Sequence, residues 1–391
     1  MFKLRPIVIA VIVTIVLGAL VWPFFQEKGY HLEAKLPLTD ALNTDDTEGF
    51  ARAMQPRPLS FPEDHGPHQK YRIEWWYFTG NLTSDANNHY GYQLTFFRLG
   101  LRAQPAHRTT NWGTNTLYMA HFAVTDVKDK KFHYVERFSR DAIGLAGSTS
   151  SPFRVWLEDW YVHGLGEDGK PMRLHAKTDA FHLDLECSSA KPIILHGDQG
   201  FSRKGSEAGN ASYYYSLTRL QTQGSLKIDG KTFQVSGTSW MDREWSTSAL
   251  EKEQQGWDWF SLQLSDNREI MFFQLRRKDG SIDPHSSGTM ITLAGESRPL
   301  SLADVKIEVL DHWPSPSDGS LYPSRWRLAI PGEDMELEIT PFLNNQELDT
   351  AAIRYWEGAV RVNGRSGDVP VSGVGYAELT GYGGNQPVNL N

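Results

Sequence analysis

The sequence predicts an all-β protein of two tandem antiparallel β-barrels that follow a hydrophobic N-terminal segment. From Tyr71 onward, short runs of alternating apolar and polar residues are separated by Gly, Asn, Asp and Pro, which is typical of antiparallel strands. An aromatic strand at the start of this region returns 182 residues later, which indicates two copies of one domain. The uncharged run Pro6–Phe25 is long enough to cross a membrane as a helix.

The N-terminal segment predicts the location of the protein. Lys3 and Arg5 precede the uncharged run, and positive charge keeps that end of a membrane helix in the cytoplasm. We therefore expect a single-pass inner-membrane protein whose soluble part is periplasmic or otherwise extracytoplasmic. The alternative is a signal peptide, cleaved to release a secreted protein, although residues 19–23 form a poor cleavage site.

The rest of the chain divides into three parts. Residues 26–69 predict an extended linker, because they contain several prolines and scattered acids with little periodicity. Residues 70–250 and 251–391 predict the two domains, with the boundary at the polar stretch Ser248–Gln255. Each copy is long enough for a closed barrel, which leaves few exposed sheet edges.

The internal repeat supports this division. The matching segments are Trp75–Thr79 with Trp257–Ser261, Leu94–Phe97 with Ile270–Phe273, and Gly224–Gly230 with Gly358–Gly364. Towards the end of each copy, Asp242 of the first copy aligns with Glu378 of the second. Asp229-Gly230 and Asn363-Gly364 predict hairpin turns, because both residue types tolerate positive φ.

Composition narrows the classes of function. The formal net charge is −8, and a mildly acidic protein is a poor partner for nucleic acid. The chain has 13 Trp, 15 Tyr and 19 Phe, which suit strands and pockets for apolar ligands. We expect neither a cofactor nor a metal. The run Gly164–Gly169 fits a dinucleotide fingerprint by letter, but a strand-like run follows it instead of the required helix.

Four motifs resemble the AttH-like and carotenoid 1,2-hydratase family. They are Tyr71–Leu82, Gly91–Arg98, Met119–Ala123 and Ser239–Trp245, and the likeness covers about residues 65–384. The resemblance implies that both barrels are lipocalin-like. It also implies a secreted or envelope protein, commonly associated with an ABC exporter. Members of the carotenoid branch add water across a terminal carbon–carbon double bond of a polyene.

Glu74 is the first candidate for catalysis. Strand alternation places Glu74, Trp76 and Phe78 on one face and Trp75 and Tyr77 on the other. An acid beside inward aromatic rings would have a raised pKa and could donate a proton. The alternative is a structural ion pair with an arginine such as Arg72, Arg98 or Arg243. This alternative is supported by the repeat, because Gly256 is the residue of the second copy that aligns with Glu74.

Asp242 is the second candidate. Hydration of an alkene needs an acid to protonate carbon and aromatic faces to stabilise the carbocation, and Asp242 between Trp240 and Trp245 fits that need. Arg243 favours the alternative of an ion-pair cluster at the barrel rim, because a guanidinium keeps a carboxylate ionised. His121, among apolar residues, is a third candidate, although a buried histidine is more often held by a hydrogen bond.

Two functions follow from the sequence. The favoured one is binding or transfer of a lipid, isoprenoid or other apolar small molecule, in a barrel or between the domains. The aromatic candidates for this site are Trp76, Tyr77, Phe96, Trp257 and Trp259. The alternative is a hydratase in which Asp242 protonates the alkene and Glu74 or His121 handles water. An enzyme requires a carboxyl group inside the cavity, whereas acids held in ion pairs outside it would exclude hydration.

Overall fold

The computed structural model describes residues 36–37, 47–104, 110–248, 250–350 and 353–383. Within these residues the chain forms 24 β-strands and two single-turn 3-10 helices, at Glu63–His65 and Pro331–Glu333. The predicted membrane segment, residues 1–25, lies outside the described residues. In the described part of the chain, no helix has the length and apolar character needed to cross a membrane.

The first barrel is built from a sheet of thirteen strands. They are β2 (Ile73–Ser84), β3 (His89–Gly100), β4 (Thr116–Asp126), β5 (Lys131–Arg140), β6 (Ala146–Ser150), β7 (Phe153–Leu157), β8 (Trp160–Gly164), β9 (Met172–Lys177), β10 (Phe181–Ser189), β11 (Ile194–Leu195), β12 (Phe201–Arg203), β13 (Ala211–Ile228) and β14 (Lys231–Ser246). The first and last long strands, β2 and β14, pair with each other, so the sheet folds back on itself.

The second barrel is built from a sheet of eleven strands. They are β1 (Leu36–Pro37), β15 (Gln254–Leu264), β16 (Glu269–Arg277), β17 (Ser287–Ile291), β18 (Ser297–Ser301), β19 (Lys306–Pro314), β20 (Leu321–Ile330), β21 (Met335–Pro341), β22 (Glu347–Asp349), β23 (Ile353–Ser366) and β24 (Val369–Leu379). Here β15 pairs with β24, as β2 pairs with β14 in the first barrel.

The two sheets confirm the predicted fold class of tandem lipocalin-like barrels. Their strand orders correspond: β5-β4-β3-β2-β14-β13 in the first barrel matches β18-β17-β16-β15-β24-β23 in the second. The repeat seen in the sequence therefore corresponds to a repeated topology.

Strand alternation builds a separate core in each barrel. Trp76 and Phe78 point into the first barrel and Phe260 and Trp356 into the second, and all four are essentially inaccessible to solvent. Burial of such large apolar side chains supplies most of the free energy that stabilises a small barrel. The opposite faces of β2 and β15 are then free for contacts between the barrels.

The outward faces of the two barrels pack against each other. Tyr77, Trp240 and Tyr214 of the first barrel join Trp259 and Phe273 of the second in one buried apolar cluster.

The backbones also approach closely where the barrels meet. A Cβ atom at Gly91 on β3 would lie 2.5 Å from the Cβ of Ala359 on β23, so only glycine fits there. The barrels therefore form a close-packed interface between β3 and β23.

Two local predictions need correction. The apolar and polar residues of Val155–Val162 alternate in a way that predicts one strand, but a turn in which Glu158 has a φ of 56° divides them into β7 and β8. The hairpin predicted at Asn363-Gly364 lies inside β23, and the turn falls at Gly367, whose φ is 57°. Gly364 serves a different purpose, because a Cβ there would lie 2.1 Å from the carbonyl oxygen of Glu336.

The part of the predicted linker that the structure describes packs against the first barrel. Residues 47–70 run along the first barrel, and Ala53, Asp64 and His65 are buried there. The Tyr215 hydroxyl contacts Nδ1 of His65 at 2.6 Å, and Nε1 of Trp76 donates to the His65 carbonyl at 2.7 Å. These contacts fix the segment across one end of the barrel.

Candidate functional site

The candidate site is a pocket between the barrels, referred to here as the interbarrel pocket. Its empty space is about 810 Å³, including the part that is open to solvent. Apolar side chains from both barrels form its walls: Trp75, Tyr77, Phe97, Tyr214, Trp257, Trp259, Phe273 and Leu275. Three acids also line it: Asp242, Glu244 and Glu378. Large aromatic walls with few polar groups are typical of sites for small apolar molecules.

Strand alternation explains which predicted residues reach the pocket. Tyr77 and Trp259 point outward from β2 and β15 and line it, together with Trp257. Trp76 and Phe96 point inward from β2 and β3 and lie in the closed core of the first barrel, so neither can contact a ligand in the pocket.

Two further predicted aromatic residues lie beside the pocket. Trp240 is buried, and its Nε1 donates to Oδ1 of Asp242 at 2.6 Å. Trp245 points the other way and stacks on His68, with 3.7 Å between the ring centroids. Trp240 therefore supports the site, whereas Trp245 closes one end of the first barrel.

Glu74 belongs to a buried ion-pair cluster outside the pocket. Its carboxylate pairs with Arg98 and Arg243 and accepts hydrogen bonds from the backbone N–H of His68 at 3.0 and 3.1 Å. Burial alone would raise the pKa of Glu74, but the two guanidinium charges outweigh burial and hold that pKa well below its usual range. The predicted alternative of a structural ion pair describes this residue.

Asp242 lies in the pocket wall without an ion pair among the described residues. Arg243 does not contact it, because alternation along β14 directs the guanidinium to the opposite face, where it meets Glu74. The Asp242 carboxyl group accepts hydrogen bonds from Ser216, Tyr214 and Trp240. Burial raises its pKa to about 7, although these three donors oppose the shift.

A hydrogen-bonded chain runs from Asp242 towards the second barrel. Nε2 of His196 lies 2.6 Å from the Ser216 hydroxyl, and Nδ1 lies 2.8 Å from the Thr289 hydroxyl. Burial lowers the pKa of His196 to about 3, so the ring is neutral. When Ser216 donates to Asp242, Nε2 of His196 must donate to Ser216, which fixes the tautomer.

Glu378 and Glu357 form a second acidic group in the site. They lie directly opposite each other on β24 and β23, which places both carboxyl groups on one face of the sheet, and Glu378 lines the pocket. Nε1 of Trp257 donates to Glu378 at 3.0 Å, and the Tyr77 hydroxyl donates to Glu357 at 2.6 Å. Burial raises the pKa of Glu378 to about 8 and that of Glu357 well above its usual range. Two carboxyl groups this close cannot both be ionised, so the pair holds a proton.

The acids are arranged according to the internal repeat. Asp242 pairs across strands with Tyr77, and Glu378 pairs in the same way with Trp259. The repeat had already aligned Asp242 with Glu378. Sequence reasoning did not assign a role to Glu378, and it missed Glu357 because no motif marks that residue.

Lys204 and Glu244 add a charged pair to the pocket wall. Nζ of Lys204 lies 3.3 Å from Glu244 and 3.7 Å from the centroid of the Phe273 ring. Burial lowers the pKa of Lys204, while the charge of Glu244 partly offsets this effect. The pocket therefore combines mainly apolar walls with one lysine and three acids.

His121 is held in a network outside the pocket. Its Nδ1 lies 2.7 Å from the Tyr355 hydroxyl, and its Nε2 lies 3.1 Å from Glu136. Nδ1 therefore has its partner in the second barrel, whereas the partner of Nε2 lies on the neighbouring strand β5 of the first barrel. Its contacts are those of a structural histidine, and it does not line the interbarrel pocket.

Known proteins resemble this chain in sequence and in fold. The model of one family, described as AttH-like, matches residues 52–382. A solved structure from Nitrosomonas europaea assigned as AttH is 34% identical, with a TM-score of 0.75, and the match covers 85% of this chain and 100% of that one. No protein with a curated description matches the sequence.

Two more distant structures share the fold. Kievitone hydratase from Nectria haematococca is 18% identical, with a TM-score of 0.64, over 85% of this chain and 96% of that one. CghA is 12% identical, with a TM-score of 0.53, over 87% of this chain and 98% of that one. At these identities, the likeness establishes a common fold.

Proposed function

The chain belongs to the AttH-like family, and from this premise we propose that it catalyses acid–base addition of water to a carbon–carbon double bond in the interbarrel pocket. One observation carries the proposal: Asp242 and the Glu357–Glu378 pair lie beside an aromatic cavity without the ion pairs that hold Glu74. The fold shared with kievitone hydratase adds support for a hydratase.

The roles of the acids follow from their surroundings. Asp242 accepts three hydrogen bonds, which favour its carboxylate, so we assign it as the base that takes a proton from water. The Glu357–Glu378 pair retains a proton at higher pH, so Glu378 serves as the acid. This assignment keeps Asp242 in the reaction but gives it the role of base, in place of the acid role expected from its sequence.

The proposed step balances in atoms and charge. Glu378 donates its proton to one alkene carbon, and a carbocation forms at the other carbon. Indole and phenol faces of Trp257, Trp259 and Tyr77 stabilise that positive charge. Water adds to the cation, keeps one proton as the product hydroxyl, and loses the other to Asp242. Return of that proton to Glu378 restores both groups, so no cofactor is consumed.

The volume of the pocket limits the substrate. The empty space of about 810 Å³ includes the part that is open to solvent, so the enclosed part admits only a small molecule. We therefore propose a small unsaturated molecule, such as a short isoprenoid, as the substrate.

The test is hydration of β-farnesene, an acyclic polyene, in ¹⁸O-labelled water, followed by mass spectrometry. We expect the full chain to add one labelled water, with a rate that rises as pH passes about 7 and falls above about 8, as Asp242 and then Glu378 lose their protons. Asp242→Asn and Glu378→Gln should each lower the rate by about 100-fold or more. The exposed Asp229→Asn is the matched control. Unchanged turnover in both pocket variants would overturn the assignment.

A binding or transfer role is the second candidate, because seven of the side chains that line the pocket are aromatic. In that case β-farnesene would quench the fluorescence of Trp75, Trp257 and Trp259 without forming labelled product. The membrane anchor and an ABC exporter as partner stay predictions from the sequence.

A further inference from the structure

Three metal-binding side chains converge on the outer face of the first barrel. His175 lies on β9, directly opposite Asp184 on β10, and His182 precedes Asp184 by two residues and shares its face. Nδ1 of His175 lies 3.2 Å from Oδ2 of Asp184 and 3.4 Å from Nε2 of His182. All three atoms lie within 4.8 Å of one another.

The two separations measured from Nδ1 of His175 match the spacing of ligands around a small cation. Bonds of about 2.0–2.1 Å in tetrahedral geometry separate neighbouring ligand atoms by about 3.3–3.4 Å. Nδ1 of His175 faces both other atoms, yet it carries one proton or one lone pair and can satisfy only one partner in the neutral ring. A cation between the three atoms would use a lone pair from each. We propose that His175, His182 and Asp184 form a binding site for a divalent transition-metal ion, with Zn²⁺ as the first candidate.

The surroundings hold the three ligands in place. Arg173 donates to both carboxylate oxygens of Asp184, at 2.9 and 2.8 Å, and leaves further lone pairs on Oδ2. Ligating carboxylates are commonly oriented by such outer hydrogen bonds. The ring of His175 stacks on Tyr161, with 5.0 Å between centroids and an angle of 13° between planes.

The three side chains also suit a transition metal chemically, because they offer two imidazole nitrogens and one carboxylate oxygen. Neutral imidazole and ionised carboxylate are the forms that bind Zn²⁺. Three protein ligands leave a fourth position for water.

The site is separate from the interbarrel pocket, because none of the three side chains lines that pocket. No motif in the sequence predicts this site, since the ligands lie on two strands and fit no ligand-spacing pattern. Pairing of β9 with β10 brings them together. A bound ion would crosslink the two strands.

The test is calorimetric titration of the full chain, without a polyhistidine tag, with ZnCl₂. We expect one Zn²⁺ per chain. His175→Gln and His182→Gln should each weaken the affinity by about tenfold or more. His312→Gln, at an exposed histidine on β19, should leave it unchanged. Zn²⁺ should also raise the melting temperature of the native protein but not that of His182→Gln.

Two results would overturn the site. One is the absence of Zn²⁺ binding by the native chain. The other is equal affinity in the native protein and both ligand variants, which would place the ion on other groups. Because the ligands are partly exposed, both variants should keep the circular dichroism spectrum of the native chain, so a loss of affinity would report on the site and not on folding.

Discussion

At the scale of single residues, the buried acids fall into two groups with opposite chemistry. Glu74 is matched by two guanidinium groups and stays ionised over the physiological range. Asp242, Glu357 and Glu378 form no ion pair among the described residues, and burial holds their protons to higher pH. The first group stabilises the barrel, whereas the second supplies groups that exchange protons near neutral pH.

The second group makes the free energy of unfolding depend on pH. A carboxyl group whose pKa is raised by folding binds its proton more tightly in the folded state. Its stabilising effect is therefore complete below the unfolded pKa of about 4 and is lost as pH rises through the folded pKa. For Asp242 and Glu378 that loss extends through pH 7 to 8.

Glu357→Gln should therefore stabilise the protein at high pH. An amide keeps the shape, can still accept from Tyr77, and removes one member of the buried acid pair. We expect a higher melting temperature at pH 8.5 and little change at pH 4, as measured by thermal melts across that range. Glu336→Gln, a half-exposed acid on the neighbouring strand β21, is the control. An equal shift at both pH values would contradict a shared proton.

At the scale of elements, the segment before β2 is fixed by a charged latch at one end of the first barrel. Glu74 on β2 contacts Arg98 on β3 and Arg243 on β14, and it also accepts from the backbone of His68. Three strands and the packed segment thus meet at one carboxylate. In the second barrel, Arg276 lies opposite Gly256, the counterpart of Glu74, and pairs with Asp258.

Glu74→Gln should consequently destabilise the fold strongly. The substitution would leave two buried guanidinium groups without a countercharge, which costs about 3–5 kcal/mol. Urea denaturation would measure the loss, with the exposed Glu186→Gln as the control. A change below about 1 kcal/mol would show that water reaches the latch and that it is not a buried cluster.

Prediction from sequence succeeded where a periodic signal existed. Alternation along β2 correctly separated Trp76 and Phe78 from Trp75 and Tyr77, and the repeat aligned Asp242 with Glu378. It could not tell which face of β2 meets the other barrel, so Trp76 was taken for a ligand contact. The predicted turn at Asn363-Gly364 is wrong, because glycine is also required where two backbones approach closely. Local sequence does not distinguish that requirement from a turn.

At the scale of the whole molecule, the two barrels share buried polar contacts that neither could satisfy alone. The Tyr355 hydroxyl of the second barrel accepts a hydrogen bond from Nε2 of Gln93 at 2.8 Å. The same hydroxyl lies 2.7 Å from Nδ1 of His121, which is also in the first barrel. The Thr125 hydroxyl donates to Gln346 at 2.6 Å. A barrel separated from its partner would expose Tyr77, Trp240 and Trp259 to water. These contacts couple the folding of one barrel to that of the other.

We therefore expect the two barrels to unfold in one cooperative transition, although tandem domains often unfold separately. Tyr355→Phe should lower the stability by about 1–3 kcal/mol, because it leaves buried polar partners unsatisfied, while the transition stays single. Differential scanning calorimetry of the native chain, Tyr355→Phe and the control Tyr161→Phe would measure both quantities. Two resolved transitions in the native protein would show that the interface is too weak to couple the barrels. The interbarrel pocket would then open at a lower free energy than either barrel unfolds, and the water-excluded site on which proton transfer depends would exist only part of the time.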